Sequence, residues 1–275
     1  AVATSDRRVT FANMLARKLK QRFPGKDYQV MIRAYGYYRP APIKAIPDDN
    51  VIIANTANCF TDPDSTDANS PNGTKTIDQF EGWAKITKNQ VWRPNTGNAV
   101  NWQNGGPPNI TPIGEMFKRV ASKDILGIEI GLVWFFWATQ GPEYYLMSQL
   151  TWNPNKQIDE IMDDYYKSGF GPAAEDVKSY WKLIENVRHD IALYEEKKGG
   201  KSWDETFNPE FFKTAYAILD QSAQKASKAG KEYCDRVAFV MAGLDYLRLL
   251  TENQALVKQI IASKGDETAL EGKMR

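Results

Sequence analysis

Residues 126–137 read Leu-Gly-Ile-Glu-Ile-Gly-Leu-Val-Trp-Phe-Phe-Trp, and the fold class turns on them. Apart from Glu129 the run is apolar on both faces, the pattern of a parallel strand buried between a sheet interior and covering helices. It is also far shorter than the roughly 20 apolar residues of a membrane-spanning helix, so no membrane span is expected. Upstream, Ser5 and Asp6 precede Val9, Phe11, Ala12, Leu15, Ala16, Leu19 and Phe23 at helical spacing, with a stop at Pro24-Gly25. That helix leads into a strand over residues 28–38, whose end carries Tyr35, Tyr37 and Tyr38 before Arg39-Pro40. A second short apolar run, 51–54, ends in Asn55-Thr56-Ala57-Asn58.

Residues 61–110 are rich in Asp, Asn, Ser, Pro and Gly yet hold Trp83, Trp92 and Trp102, and they read as a long functional loop. A short helix over 112–122 then precedes the decisive strand. After Trp152-Asn153-Pro154 helical periodicity takes over, with Pro172 and Pro209 placed as first-turn residues and Lys197-Lys198-Gly199-Gly200 as a stop. The expected class is α/β: a partial or complete (β/α) barrel segment of the TIM type over 1–154, followed by an α-helical region over 155–275. Only about three strands suit a parallel sheet, whereas a complete barrel takes eight. The first residues carry no initiator Met and no signal-type apolar segment, so the chain is expected to begin after processing or within a longer polypeptide.

Composition narrows the partners. With Lys+Arg 35 against Asp+Glu 34 the formal charge is +1, which provides no field for a phosphate backbone, and nucleic acid is excluded as the expected partner. One histidine and two cysteines without CxxC spacing are too few for a His/Cys metal site, and no metal or other cofactor is expected. Cys59 and Cys234 are read either as free thiols or as one disulfide. Asp159, Glu160, Asp163 and Asp164 lack the alternating ligands and central Gly of a calcium loop and read as a solvated helix face.

Several motifs together resemble a known family. They are Trp134-Phe-Phe-Trp-Ala-Thr-Gln-Gly-Pro-Glu-Tyr-Tyr145, Leu150-Thr-Trp-Asn-Pro154, Asp163-Asp-Tyr-Tyr166 and Gly169-Phe-Gly-Pro-Ala-Ala174, with Ser5-Asp6-Arg7, the 35–42 strand end and Trp92-Arg-Pro-Asn95. The combination is similar to the bacterial domain-of-unknown-function family 4838 over about residues 5–195. The resemblance implies a barrel glycoside hydrolase similar to endo-β-N-acetylglucosaminidases, with a glycan or oligosaccharide as substrate. It implies a secreted, periplasmic or cell-envelope location, and further strands contributed by upstream sequence or a partner chain. Gly131, Phe135 and Phe136 stand where the family carries polar side chains, which keeps a non-catalytic glycan-binding or structural derivative open.

Glycosidic cleavage commonly uses two carboxyl groups about 5–9.5 Å apart. In barrel enzymes the chemistry sits at the C-terminal ends of strands. That filter nominates Glu129, expected to be desolvated inside its strand, and Glu143, after the Gln140-Gly141-Pro142 turn. Glu129 paired to Arg33 or Arg119, and Glu143 as a first-turn acid facing a helix dipole, are the plainer alternatives. Tyr35, Tyr37, Tyr38, Trp92, Trp102 and Trp137 are candidate stacking platforms for sugar rings, with Asn55 and Gln140 as polar contacts. Core packing is the alternative fate of these aromatics.

Overall fold

A computed structural model of the chain describes residues 4–56, 71–93, 108–130, 136–195 and 197–263. The expectations that rest on Cys59, Trp102, Trp134, Phe135 and Gly131 lie outside those residues. The chain divides into two compact units. The first comprises residues 1–103, 109–135 and 142–161, and the second 104–108, 136–141 and 162–275.

The first unit is mixed α/β. Helix α1 (Thr4–Arg22) leads into β1 (Val30–Ala34), and β2 (Val51–Asn55) follows after a 3-10 turn at Gly36–Tyr38. Then come α2 (Pro71–Ala84), β3 (Gln90–Trp92), α3 (Ile110–Ala121), β4 (Gly127–Ile128) and α4 (Trp137–Trp152). The four strands form one sheet in the order β1-β2-β3-β4, and every pairing is parallel. Register sets Ala34 beside Asn55, Asn55 beside Trp92 and Trp92 beside Ile128. Because side chains alternate across a strand, these four residues share one face. It is the face that the helices cover. Ala34, Val51 and Ile53 pack with Val9, Ala12 and Ala16 of α1 and Trp83 of α2, and Trp92 meets Phe117 of α3 edge-on at 4.7 Å.

Helix α1 holds more than an apolar stripe. Its buried face also carries Asp6 and Asn13, and these pin the connection between β1 and β2. The Asp6 carboxylate accepts backbone N–H groups of Ile43, Lys44 and Ala45, while Asn13 donates to Ile46 O and accepts from the Asp48 N–H. Buried carboxylate and amide groups are tolerable only when paired in this way. Phe11 and Leu15, expected in the core stripe, instead remain exposed.

Three expectations need correction. The 61–110 stretch is not a loop throughout, since α2 and β3 lie within it, and β3 makes a fourth strand. Among its described residues the decisive run is strand only at Gly127–Ile128, and its last residue, Trp137, opens a helix. Phe136, the residue before that helix, has a φ of 65°, outside the extended region. Trp92, taken as loop-borne, lies in β3 at 0% exposure.

The second unit is helical. Its elements are the C-terminal part of α5 (Ile158–Phe170), a 3-10 turn at Gly171–Ala173, α6 (Ala174–Glu195), α7 (Trp203–Thr206), α8 (Pro209–Ala226) and α9 (Lys231–Ala262). No strand occurs among its described residues. Capping follows the sequence closely: Ser202 and Glu205 form a reciprocal box on α7, and Asn208 caps α8 with Pro209 at its first turn. Helix α8 packs against both α6 and α9. Val177, Tyr180, Trp181 and Ile184 of α6, Ala215 and Leu219 of α8, and Val237, Val240 and Leu244 of α9 supply the buried positions at i, i+3 and i+4 spacing.

Candidate functional site

The C-terminal ends of the four strands carry the first unit's best cluster of polar side chains. One residue beyond the Ala34, Asn55, Trp92 and Ile128 row stand Tyr35, Thr56, Arg93 and Glu129. The ladder continues through them: the Thr56 N–H donates to Ala34 O, the Arg93 N–H to Asn55 O and the Glu129 N–H to Trp92 O, at 3.1, 2.8 and 2.8 Å. Tyr35 is still extended, with φ −140° and ψ 149°. Alternation therefore turns these four side chains to the face opposite the helices. This row holds a phenol, a hydroxyl, a guanidinium and a carboxylate side by side on adjoining strands.

Arg93 and Glu129 are joined directly. Nε of Arg93 donates to Oε1 of Glu129 at 2.9 Å, with the arginine side chain 14% exposed and the glutamate 49%. Glu129 was expected inside an apolar strand and desolvated. It lies instead just past β4 with half its side chain open, because Gly127–Ile128 is the whole of the strand. The paired reading is the one observed, with Arg93 rather than Arg33 or Arg119 as the partner. Thr56 is buried, and its Oγ has no hydrogen-bond partner.

Tyr35 and Tyr38 are partly exposed and Tyr37 is 90% exposed, all on the turn that leaves β1. The Arg39 guanidinium lies 5.9 Å from the Tyr35 ring centroid and that of Arg8 4.9 Å from Tyr38, distances at which the ring faces attract a cation. Asn55 and Trp92 face the helices and are buried, so neither reaches solvent as a ligand contact here. Asn55 Nδ2, Trp92 Nε1 and both polar atoms of the Gln90 amide are buried without a protein partner, which leaves that layer suited to ordered water.

Glu143 does not join the row. It is 2% exposed on α4, and its Oε2 accepts the backbone N–H of Asn109, the N-cap residue of α3, at 2.8 Å. A carboxylate there meets the positive end of α3, so the helix-dipole reading holds for a different helix from the one expected. Burial, with the Glu143 charge beside it, pushes the Tyr144 phenol far above its ordinary range and keeps it neutral. Trp137, half-exposed, and Gln140, buried, belong to the second unit at the start of α4. His189 is exposed on α6.

Sequence reasoning missed Thr56 and Arg93, each one position beyond a residue it chose. The signal was strand parity. Once Asn55 and Trp92 are assigned to the helix-facing side, their successors must face the other way. Among the described residues no group of three or more His, Cys, Asp or Glu side chains could hold a metal ion, and no helix is long and apolar enough to cross a membrane.

A second feature lies beside the outer edge of β1, a groove of about 570 Å³ between that strand and α1. Arg7, Arg8, Phe11, Leu15, Met31 and Tyr38 are among its walls, with Phe11 and Met31 more than half exposed. Val30 donates to Asn50 O and Ala34 accepts from Thr56, both toward β2. The intervening Met31 and Arg33 therefore turn their N–H and C=O groups to the open edge, as alternate residues of a parallel strand do.

Compared with known proteins, the chain matches one family model, described as a domain of unknown function (DUF4838), over residues 1–182. No curated protein and no solved structure matches it.

Proposed function

The chain belongs to the DUF4838 family, and from that premise we propose that it forms part of a barrel glycoside hydrolase acting on a glycan outside the cytoplasm. The sheet supports the barrel half of this reading. Its strands are parallel and their spatial order equals their chain order, as successive staves of a (β/α) barrel require, whereas a doubly wound sheet reverses direction. Among the described residues both outer strands are unpaired on their far sides, and the groove along β1 offers the next stave apolar walls and a row of backbone groups. Further staves from upstream sequence or a partner chain would close the sheet.

The observation that carries the chemistry is the row of Tyr35, Thr56, Arg93 and Glu129 at the strands' C-terminal ends, the place where barrel enzymes hold their catalytic groups. Glu129 is the carboxyl group in reach of a substrate, Arg93 fixes its position, and the exposed Tyr35 and Tyr37 present ring faces to a sugar. Hydrolysis needs a second carboxyl group about 5–9.5 Å away, and in this proposal the added staves bring it. Glu143, occupied at the α3 terminus, is left out of the chemistry.

Incubating the protein with a panel of complex glycans and following newly formed reducing ends tests the proposal. Release that disappears in Glu129→Gln is the expected result; release untouched by that substitution overturns the assignment. One observation favours a second reading. The row contains a single acidic side chain, already paired, which suits a protein that binds glycans without cutting them. Saturable binding with no new reducing ends would select that reading.

A further inference from the structure

Resting on the carbohydrate reading of the strand-end row, we infer that Asp6 is a positioning residue for the sugar. It touches no ligand itself. From α1 it fixes the connection between β1 and β2, residues 35–50, so that Tyr35 and Tyr37 stand as a preformed stacking surface.

Apart from the 3-10 turn at Gly36–Tyr38 this connection is irregular, and ordering such a chain at the moment of binding costs affinity. It is ordered beforehand by the start of α1. Thr4 Oγ1 donates to Tyr37 O at 2.7 Å, and the Arg8 guanidinium lies over the Tyr38 ring. Between them, the Asp6 carboxylate accepts the consecutive N–H groups of Ile43, Lys44 and Ala45 at 3.3, 2.8 and 2.7 Å. Residues 4, 6 and 8 thus all act on one connection. From α2, Trp83 Nε1 donates to Arg39 O at 2.8 Å. Pro40 and Pro42 have fixed φ, so a shift at Ile43 is passed back toward Arg39 and the tyrosine turn.

Asp6 has the widest hold. It is buried in the first turn of α1, where the helix dipole favours a carboxylate, and no other anchor among the described residues takes more than two backbone groups of the connection. On the outward side of the backbone so held, Tyr37 is almost fully exposed and Tyr35 about half exposed, so neither ring adds much to the fold by burial. Rings held out on a fixed backbone lose little freedom when a sugar stacks on them.

Calorimetric affinity for the same panel of complex glycans, taken well below the melting temperature and paired with amide hydrogen exchange over residues 35–50, tests this. Asp6→Ala is expected to speed exchange there and to weaken glycan binding at least about fivefold, as a surface populated only part of the time does. Asp6→Asn keeps an oxygen for the Lys44 and Ala45 N–H groups but turns a donor toward that of Ile43, and should fall between parent and alanine variant in both readouts. Tyr37→Ala should weaken binding while exchange stays as in the parent. A role for Asp6 in stability alone would lower Tm and leave the affinity of the folded protein unchanged, and that result overturns the inference. Unchanged exchange in Asp6→Ala, or parent affinity in Tyr37→Ala, overturns it too. Should Asp6→Ala fail to fold, Asp6→Asn carries the test: faster exchange with weaker binding supports the inference, and parent behaviour in either readout overturns it. A parent protein that binds no glycan of the panel overturns the carbohydrate reading itself, and this inference with it.

Discussion

The guanidinium of Arg93 and the carboxylate of Glu129 meet at 2.9 Å across the adjoining ends of β3 and β4, and each belongs to the residue immediately after its strand. With the glutamate half exposed, solvent screens the pair. A double-mutant cycle with Arg93→Ala and Glu129→Ala should return a coupling of about 0.5–1 kcal/mol in urea unfolding, in the range of exposed pairs. The pair is therefore expected to matter more to the geometry of the strand ends than to the fold. A coupling of several kcal/mol would mean that the two charges are far less hydrated than their exposure indicates.

Glu143 is expected to behave in the opposite way. Its carboxylate is buried and satisfies the Asn109 N–H at the head of α3, so Glu143→Ala leaves that donor without its acceptor at a cost of about 1–3 kcal/mol. Glu143→Gln keeps an acceptor of the same length and should recover much of the loss. Thermal melts of the two variants check this. A Glu143→Ala protein as stable as the parent would show that the α3 terminus does not depend on the contact.

How far the sequence could be read follows from what each element needed. Helix ends marked by local chemistry, such as Ser202 with Glu205 and Asn208 with Pro209, are legible because the cap and the helix it starts are a few residues apart. Strand β3 was not, because its three residues lie in a polar stretch and its apolar partners, Ile53 and Phe117, are far away in sequence. Glu129 was found through its odd place in an apolar run. Arg93 and Thr56 could not be found without strand parity, which no three-residue strand reveals by itself. The turn at Phe136 was hidden for a related reason: an aromatic at positive φ is held there by tertiary contacts, including the Tyr246 ring at 6.0 Å, and not by local preference.

Gly243 should resist substitution. A Cβ added there on α9 would lie 2.2 Å from the carbonyl oxygen of Ala138, a backbone group with little room to yield. Pro142, four residues on, has no N–H to hold that carbonyl in the helical ladder, so α9 approaches a part of α4 whose position is set by packing. Gly243→Ala is expected to lower stability by about 1–3 kcal/mol through overpacking, seen as a fall in Tm. Ala138→Gly should give no rescue, because the clash is with main chain. A melt unchanged by Gly243→Ala would show that α9 is free to move away from α4.

The helical unit should lose stability in alkali. Burial pushes the phenols of Tyr165, Tyr166 and Tyr180 well above their ordinary range, and for Tyr166 the neighbouring Tyr165, Glu185 and Asp163 add to it. An unfolded tyrosine titrates near pH 10, so below about pH 10 both states hold the proton and the stability contributed by neutral burial is fully present. Above that point the unfolded chain releases protons that the folded chain keeps, and the unfolded state gains up to about 1.4 kcal/mol per pH unit for each such tyrosine. Stability should therefore be level from about pH 8 to 10 and fall steeply beyond it, as followed by the helical circular-dichroism signal in urea. Tyr180→Phe removes one of the three groups and should make the fall shallower. Tyrosinate absorbance that rose while the helical signal stayed intact would show that these rings ionise in place, and the link between their burial and alkaline unfolding would be broken.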